Sequence, residues 1–533
     1  MDTSRLLRTS GTFLAFVGLL ISGCSSGSGD ADTAEFGTSS AGPGSGQRRT
    51  GGAGVLRPLP AAIPAALAPY YEQKLRWRRC GADGFECATM KAPLDYDRPG
   101  AGEDLELAVS RVKATGPGRR IGSLLVNPGG PGGSAIGYLQ NWAGIGYPSP
   151  VRARYDMVAV DPRGVAGSEP VGCLSDKDMD SYTQVDQTPD DPGEVKRLVS
   201  AYKKFAKGCR DRSGDVLGHV STVEAARDMD VLRGVLGDKK LSYVGASYGT
   251  YLGATYAGLY PGRAGRLVLD GAMDPSLTSL RMNRDQTAGF DTAFTAFAED
   301  CVRRDDCPLG TGSERDAAER LQAFFRKVDA DPLPTGERRE LGESLATTAV
   351  VAAMYDEGSW AQLRNALQAA MDGDGAGLLG LADAYYERDS EGSYANLMFA
   401  NPAVNCLDLP ASFGGPDDVR RELPSFRKAS SVFGTGFAWA AMNCTYWPVK
   451  PTGAPQRIEA KGADPIVVVG TSRDPATPYV WAQGLAGQLS SASLLTYEGD
   501  GHTAYGRGSD CVDTAINTYL LEGKAPEKGQ KCR

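Results

Sequence analysis

The 533-residue sequence predicts an α/β fold: a largely parallel sheet with helices on both faces. One observation is a set of short, continuously apolar segments, typical of strands buried on both faces. These segments are 122–126, 155–160, 241–246, 266–271, 465–469 and 493–497. Helical patterns at 194–207 and 223–236 alternate with the first of them. A long, mainly helical interval then separates the last two strands from the rest, which predicts an inserted domain.

The inserted interval spans 276–455 and divides the predicted core into 61–275 and 456–533. Helical patterns within it include 316–326 and 360–371. Because it lies between two strands of one sheet, it must leave and rejoin the core at the sheet's edge. Ligands bind at the carboxyl ends of parallel strands, so we expect a lid that shapes a substrate pocket. The alternative is an independently packed domain with no role in selectivity.

The first 23 residues predict an export signal. Arg5 and Arg8 precede the apolar run 13–21, which is too short to cross a bilayer, since a membrane helix needs about 20 apolar residues. The run leads into Leu-Ile-Ser-Gly-Cys24, which resembles a bacterial lipobox. We expect cleavage and lipidation at Cys24 and a location on the extracytoplasmic face of the cell membrane. Plain secretion and an uncleaved anchor are the alternatives.

Residues 24–60 are predicted to form a flexible tether, because Gly, Ser, Ala and Thr dominate and few apolar residues are available for a core. About 30 such residues have a root-mean-square reach near 30 Å. The folded body would therefore stand clear of the membrane, with contact through the lipid anchor only.

Composition excludes some functions. With 57 basic and 65 acidic residues the formal charge is −8, which offers no basic surplus for nucleic acid. The 41% hydrophobic content is that of a globular protein with an ample core. We expect a monomer that uses no cofactor.

The cysteines fit an exported protein. There are 11, and lipidation of Cys24 would leave ten, an even number that suits five disulfides. Pairing of sequential neighbours would close short loops without threading. These pairs are Cys80–Cys87, Cys173–Cys209, Cys301–Cys307, Cys406–Cys444 and Cys511–Cys532. Metal binding is the competing reading, but with two histidines and no Cys-x-x-Cys pair we expect no metal.

A candidate nucleophile, Ser247, lies in Gly245-Ala-Ser-Tyr-Gly249, between an apolar strand and a helix of small and aromatic residues. Glycines two positions either side of a serine permit the sharp strand-to-helix turn that exposes a hydroxyl. The following helix would direct its positive end toward that hydroxyl. The motif alone is weak in a chain with 68 glycines, so its partners decide the assignment.

A serine nucleophile needs a base, usually histidine. His219 precedes a helix and is expected to be a loop or capping residue. His502 ends the turn Glu-Gly-Asp-Gly-His after the last strand, where its ring can reach over the carboxyl edge of the sheet. We therefore expect His502 to be the base.

The acid that orients the base is expected to be Asp474, which follows the strand at 465–469. This choice places the three residues in the order Ser, Asp, His, which is the order found in α/β-hydrolases. Asp270 and Asp274 are the main rivals, and Asp500 is too close to His502 in sequence.

An oxyanion hole would use the backbone N–H of Tyr248, directly after the nucleophile. A second donor is expected from Gly129 or Gly130, in Asn127-Pro-Gly-Gly-Pro-Gly-Gly-Ser134, because glycine lets the backbone approach a reacting carbonyl. The alternative is that this loop is only a turn.

These residues resemble the secreted tripeptidyl aminopeptidases and mycelium-associated serine proteinases, which are α/β-hydrolases related to prolyl iminopeptidases. The resemblance covers nearly everything from Trp77 to the end, and its motifs are specific only together. They are 127–134, 161–164, 225–233, 245–250, 268–275, 444–448, 474–478 and 501–503. A prolyl iminopeptidase loop normally begins with His where this chain has Pro128, so that family's loop contacts do not carry over whole.

The resemblance implies that Ser247, Asp474 and His502 remove short peptides from free amino termini of peptides or proteins. An exopeptidase of this kind must pair the substrate ammonium, and Asp408 and Glu343 in the lid are candidates. A carboxylesterase with the same triad is the first alternative. A non-catalytic envelope binding protein on a hydrolase scaffold is the second.

Overall fold

The computed structural model describes residues 53–533. The predicted export signal, the lipidation site Cys24 and the tether up to residue 52 lie outside the described residues. The strands of the described part are β1 Gly54–Val55, β2 Arg78–Arg79, β3 Phe85–Pro93, β4 Asp104–Val112, β5 Gly122–Asn127, β6 Tyr155–Val160, β7 Leu241–Ala246, β8 Ala264–Asp270, β9 Gln456–Arg457, β10 Ile466–Arg473, β11 Ala492–Asp500 and β12 Gln530–Cys532.

Helices fill most of the remaining described chain. The α-helices are α1 Ala68–Glu72, α2 Ala135–Tyr138, α3 Gly144–Gly146, α4 Ser149–Arg152, α5 Asp176–Thr183, α6 Pro192–Ser213, α7 Thr222–Val235, α8 Tyr248–Leu259, α9 Ser279–Val302, α10 Glu314–Ala330, α11 Glu343–Met354, α12 Trp360–Met371, α13 Ala376–Tyr386, α14 Leu397–Asp408, α15 Pro416–Ala429, α16 Gly434–Ala440, α17 Tyr479–Gln488 and α18 Asp510–Glu522.

Ten strands form one sheet in the order β12-β11-β10-β8-β7-β5-β6-β4-β3-β2. Neighbours from β12 to β6 are parallel, whereas β2, β3 and β4 continue the sheet antiparallel. Every residue of β5 is buried, as are the first six of β10, because helices cover both faces. The predicted fold class is therefore confirmed.

The predicted end of the tether at residue 60 is wrong. β1 pairs with β9, the Leu56 N–H donates to Arg457 O (2.9 Å) and the Leu59 N–H donates to Leu259 O (2.9 Å). The side chains of Leu56 and Leu59 pack against the main core. Composition alone overlooked these two leucines, whose burial fixes the chain several residues earlier than expected.

The lid consists of α9 to α16 and has an apolar core of its own, built around phenylalanines and leucines of α9, α10, α11 and α12. One lid helix behaves differently. Phe399, Ala403, Val404 and Leu407 of α14 lie in the main core beside the sheet. The lid is thus joined to the core through a buried helix.

The structure joins ten cysteines in sequential pairs, the same five that spacing suggests. They are Cys80–Cys87, Cys173–Cys209, Cys301–Cys307, Cys406–Cys444 and Cys511–Cys532. Within residues 53–533, none of the helices has the length and apolar character needed to span a bilayer.

Candidate active site

Ser247 lies at the sharp turn between β7 and α8, with φ +55° and ψ −125°. A non-glycine residue adopts this conformation only where its surroundings enforce it. A β-carbon at Gly245 would overlap the carbonyl oxygen of Gly249, and one at Gly249 would lie 2.8 Å from Asn127 O. The two glycines are therefore required by space, and the Ser247 N–H donates to Asp270 O (2.9 Å) to hold the turn on the next strand.

His502 and Asp474 form a hydrogen-bonded pair after neighbouring strands. Nδ1 of His502 lies 2.9 Å from both carboxylate oxygens of Asp474. That carboxylate is fully buried and accepts from Ala476 N (2.9 Å), Thr477 N (2.8 Å), Thr477 Oγ1 (3.0 Å) and Thr503 N (3.2 Å). A carboxylate beside Nδ1 can accept the proton that this nitrogen carries in one tautomer of the neutral imidazole, and in that tautomer Nε2 is the acceptor.

The imidazole and the serine turn meet at one segment, Asp270–Gly271. Asp270 accepts the Ser247 N–H, and a β-carbon at Gly271 would lie only 3.2 Å from Cε1 of His502. Nε2 of His502 is buried and has no hydrogen-bond partner among residues 53–533. The structure therefore shows no hydrogen bond between Ser247 Oγ and Nε2 of His502, and in free enzymes such a contact is often long until substrate binds.

The glycine loop after β5 packs directly on the nucleophile turn. A β-carbon at Gly129 would lie 2.8 Å from Tyr248 N and 2.9 Å from Cβ of Ser247. Gly129 and Gly130 have φ +93° and +113°, a region open to glycine. The Gly129 N–H already donates to Asn127 Oδ1 (2.9 Å), so Gly130 is the better placed of the two as a second oxyanion donor.

The rival acids hold other groups. Asp270 accepts the backbone N–H groups two and three residues beyond His502, and burial raises the pKa of its carboxyl. Asp274 accepts from a glutamine side chain of α17 (2.6 Å). Asp500 pairs with Arg473 (2.6 Å). Asp270 therefore supports the histidine loop without touching its ring.

His219 lies away from this constellation. Its Nδ1 is 2.9 Å from Glu224 Oε1 at the start of α7, and this hydrogen bond raises the pKa of the imidazole. Its carbonyl accepts from the buried Arg163 (3.0 Å). The residue ties a loop to a helix, as the sequence suggests.

The structure does not present either predicted lid carboxylate to the triad. Asp408 is buried, and both its oxygens contact Thr222. Glu343 begins α11, whose other end reaches His502 through Tyr355, a helical rise of about 18 Å away. Burial raises the pKa of each carboxyl to about 7.

Two acidic clusters have a geometry compatible with a cation. In the first, carboxylate oxygens of Asp186, Asp329 and Glu343 lie within 4.8 Å of one another. The second consists of Asp190, Asp191 and Glu194 on an exposed surface. Among the described residues, neither cluster contacts Ser247, Asp474 or His502.

The lid contacts His502 directly, which the sequence did not indicate. Tyr355 O, just after α11, accepts the His502 N–H (2.9 Å), and the two rings meet edge to face with centroids 5.5 Å apart. The next residue, Asp356, pairs with Arg507 of the histidine loop (2.8 Å). No local sequence signal indicates these contacts, since Tyr355 continues an ordinary helical pattern.

A second missed element is the lid segment 385–397, whose two ends lie near residues of the site. At one end the ring of Tyr385 lies 6.1 Å from that of Tyr355. At the other end Leu397 Cδ1 would lie 3.2 Å from a β-carbon at Gly130. Glu387 stands between them with φ +52°; its side chain is exposed, yet burial by surrounding protein raises the pKa of its carboxyl. Both observations fit a carboxylate that faces a cleft.

The sheet, the serine turn and the His502–Asp474 pair define the class of protein: a serine hydrolase with the α/β-hydrolase fold. A family model described as TAP-like protein matches residues 430–532. Serine protease Hip1 of Mycobacterium tuberculosis is 37% identical over 493 residues, covering 87% of this chain and 92% of the relative. Carboxylesterase B of the same organism is 37% identical over 489 residues, covering 89% and 92%.

Tripeptidyl aminopeptidase of Streptomyces lividans is 31% identical over 487 residues, covering 89% of this chain and 88% of the relative. The chain belongs to the tripeptidyl aminopeptidase family of α/β-hydrolases, and the resemblance found in the sequence is confirmed.

Proposed function

We propose that the protein is a serine exopeptidase that releases di- or tripeptides from free amino termini, with Ser247 as nucleophile, His502 as base and Asp474 as acid. The observation that carries the proposal is the His502–Asp474 pair, whose imidazole lies against Gly271, next to the Asp270 carbonyl that accepts the Ser247 N–H. Membership of a family that includes a tripeptidyl aminopeptidase supports the exopeptidase reading.

Acylation begins when Nε2 of His502 takes the proton of Ser247 Oγ as the oxygen attacks the scissile carbonyl carbon. Negative charge moves to the carbonyl oxygen, where the N–H groups of Tyr248 and Gly130 would receive it. The imidazolium, stabilised by Asp474, then donates its proton to the leaving amine. The peptide bond breaks and the released amino-terminal fragment stays on Ser247 as an ester.

Deacylation repeats these steps with water. His502 removes a proton from a water molecule, whose oxygen attacks the ester carbonyl. Collapse of the second tetrahedral intermediate returns the proton from His502 to Ser247 Oγ and frees the short peptide. The enzyme is regenerated without any cofactor.

Recognition of a free amino terminus requires an anion in the lid, because an unpaired buried ammonium would cost several kcal/mol. Glu387 is our candidate, in place of Asp408 and Glu343. Its support is that it lies in sequence between Tyr385, whose ring is near that of Tyr355, and Leu397, whose side chain is near Gly130. The distance from Glu387 to Ser247 would then limit the number of residues removed per cut.

A panel of chromogenic peptides of one to four residues tests the proposal, each with a free and an acetylated amino terminus. We expect turnover of free di- or tripeptides and loss of activity on acetylation. Equal turnover of both forms would instead favour a carboxylesterase, a reading supported by the equal 37% identity to carboxylesterase B. Failure of a fluorophosphonate probe to label Ser247 would favour a non-catalytic binding protein.

Export and lipidation at Cys24 complete the proposal, on the basis of the apolar run and lipobox-like segment in the sequence. Replacement Cys24→Ser should abolish incorporation of radiolabelled palmitate into the protein. Labelling of the variant equal to that of the wild type would contradict lipidation at Cys24.

A further inference from the structure

Asp408, the last residue of α14, is held rigidly in the lid. Cys406, one half-turn earlier, is bonded to Cys444. The chain at Thr452 and Gly453 crosses the helix end, where both backbone N–H groups donate to Leu407 O (2.9 and 3.0 Å). This helix end therefore has little freedom to move relative to its surroundings.

The carboxylate of Asp408 reaches out of the lid to one residue of the core. Its Oδ1 accepts the N–H of Thr222 (2.8 Å), the first residue of α7, and its Oδ2 contacts Thr222 Oγ1. The same Oγ1 contacts the phenol oxygen of Tyr248. All three side chains belong to buried residues, so water cannot replace these contacts without opening the lid.

Tyr248 connects this chain of hydrogen bonds to the site. It directly follows Ser247, and its backbone N–H is the candidate oxyanion donor that faces Gly129. Its ring stacks on that of Tyr251 (centroids 6.3 Å apart, 11° between planes). With the phenol pinned by Thr222 and the ring by Tyr251, the first turn of α8 has one orientation.

We propose that Asp408 is a positioning residue: through Thr222 it fixes Tyr248 and hence the N–H that faces the acyl oxyanion. The inference rests on the proposed serine hydrolase mechanism. Since Asp408 belongs to the lid, correct seating of the lid becomes a condition for a working nucleophile turn.

The protonation state of Asp408 sets the direction of the hydrogen bonds that join Asp408, Thr222 and Tyr248. When Asp408 is ionised, Thr222 donates to it and accepts from Tyr248, so each proton has an acceptor. When Asp408 is protonated, it donates to Thr222, whose own proton then turns toward Tyr248 and displaces the phenol proton. Burial raises the pKa of Asp408 to about 7, so both states occur near neutral pH.

The titratable groups facing Asp408 come from two core helices. Glu224 of α7 raises the Asp408 pKa further, and it is itself bonded to His219 and Ser221. Tyr248 and Tyr251 of α8 are neutral phenols, whose pKa values burial raises well above the ordinary range.

The test compares kcat of Asp408→Asn and wild type from pH 5.5 to 8.5, per active site counted by fluorophosphonate labelling. The amide resembles the protonated carboxyl at every pH. We expect wild-type kcat to exceed that of the variant about tenfold at pH 8.5 and to approach it at pH 5.5, with KM within twofold. The pH dependence of kcat that comes from His502 is common to both proteins and cancels in the ratio of wild-type kcat to variant kcat.

Tyr248→Phe provides the second arm. If Asp408 acts through Tyr248, adding Asp408→Asn to Tyr248→Phe should lower kcat no further. Thr222→Val removes only the linking hydroxyl, so the ratio of wild-type kcat to variant kcat should depend on pH as it does for Asp408→Asn. This variant therefore replaces Asp408→Asn in the test if Asp408→Asn does not accumulate. Ser344→Ala is the matched control, because it deletes another buried lid-to-core hydrogen bond, from Ser344 to Thr183 O (3.0 Å), and should leave kcat unchanged.

The inference would be overturned if the ratio of wild-type kcat to Asp408→Asn kcat were the same at pH 5.5 and 8.5. It would also be overturned if the losses of Asp408→Asn and Tyr248→Phe were additive in the double variant. Each assay uses a tripeptide anilide and a p-nitrophenyl ester, since the oxyanion donor serves both substrates. Turnover of the ester alone would overturn only the peptidase reading. Absence of turnover on both by the wild type would overturn the proposed function, and this inference with it.

Discussion

The core and the lid contribute to the site in different ways. In the core, each triad residue lies in a turn directly after a strand: Ser247 after β7, Asp474 after β10 and His502 two residues beyond β11. In the lid, the residues that touch the site lie at helix ends far away in sequence, as Tyr355 does. The core thus supplies the candidate reacting groups from local turns, whereas the lid supplies long-range contacts such as that of Tyr355 with His502.

The largest expected effect is in the core. Ser247→Ala should lower kcat by at least about 10⁴-fold, because the covalent route is lost and only binding and the oxyanion donors remain. Thermal unfolding should be nearly unchanged, because alanine keeps the backbone hydrogen bonds of the turn, Ser247 N–H to Asp270 O (2.9 Å) and Thr250 Oγ1 to Ser247 O (2.6 Å). Turnover of peptide anilides and calorimetry provide the two measurements, and retained turnover would contradict the assignment.

Two buried aspartates of the core separate catalytic from structural roles. Asp474→Asn should lower kcat about 10⁴-fold, because the amide would favour the wrong histidine tautomer. Asp270→Asn should mainly lower stability, by about 1–3 kcal/mol, because Asp270 accepts two backbone N–H groups of the histidine loop. Steady-state kinetics and denaturant unfolding distinguish them. The reverse pattern would make Asp270 the catalytic acid.

The sequence predicts the core of this molecule better than its lid. The positions of Ser247, Asp474 and His502 in turns after β7, β10 and β11 were predictable, because turn chemistry and strand patterns act over a few residues. The bounds of β10 and β11 were predicted too short, since their ends hold each other through pairs such as Gly470 with Thr496. Such extensions depend on a neighbouring strand that no local pattern records.

The lid was predicted as helical, but its contacts were not. Asp408 was expected to face substrate, yet its carboxylate is hydrogen-bonded to Thr222, a residue far away in sequence. Glu387 was overlooked because its relevance comes from where α13 ends, and a glutamate after a helix is unremarkable in sequence. Side-chain roles that depend on packing between distant helices need coordinates.

A lid prediction of intermediate size concerns Glu387→Gln. Loss of the charge should lower kcat/KM for free-amine peptides about 10- to 100-fold, the usual range for a lost charge-assisted contact. Turnover of acetylated peptides and p-nitrophenyl esters should be unchanged, because they carry no ammonium. Equal losses on all substrates would mean that Glu387 supports the lid without binding the amine.

The smallest effect is expected at Glu343, far from the triad. Its folded-state pKa of about 7 lies above the ordinary 4.5, mainly through burial and then through Asp186 and Asp329. The folded protein therefore binds a proton that the unfolded chain releases, so wild-type stability falls as pH rises from about 4.5 through 7. Glu343→Gln stays neutral and avoids this loss. Its stability relative to wild type should rise by about 1–2 kcal/mol between pH 5 and 8, with partial exposure discounted.

Denaturant unfolding at both pH values measures this difference, and Glu319→Gln on the exposed face of α10 is the control for removing a carboxylate from the lid surface. Because Glu343 lies at the end of α11 remote from His502, kcat/KM for free-amine peptides should stay within twofold of wild type. A large loss of kcat/KM that is confined to free-amine substrates would mean that Glu343 binds the substrate ammonium. It would also mean that the substrate reaches along the whole of α11, a helical rise of about 18 Å from the contact of Tyr355 with His502.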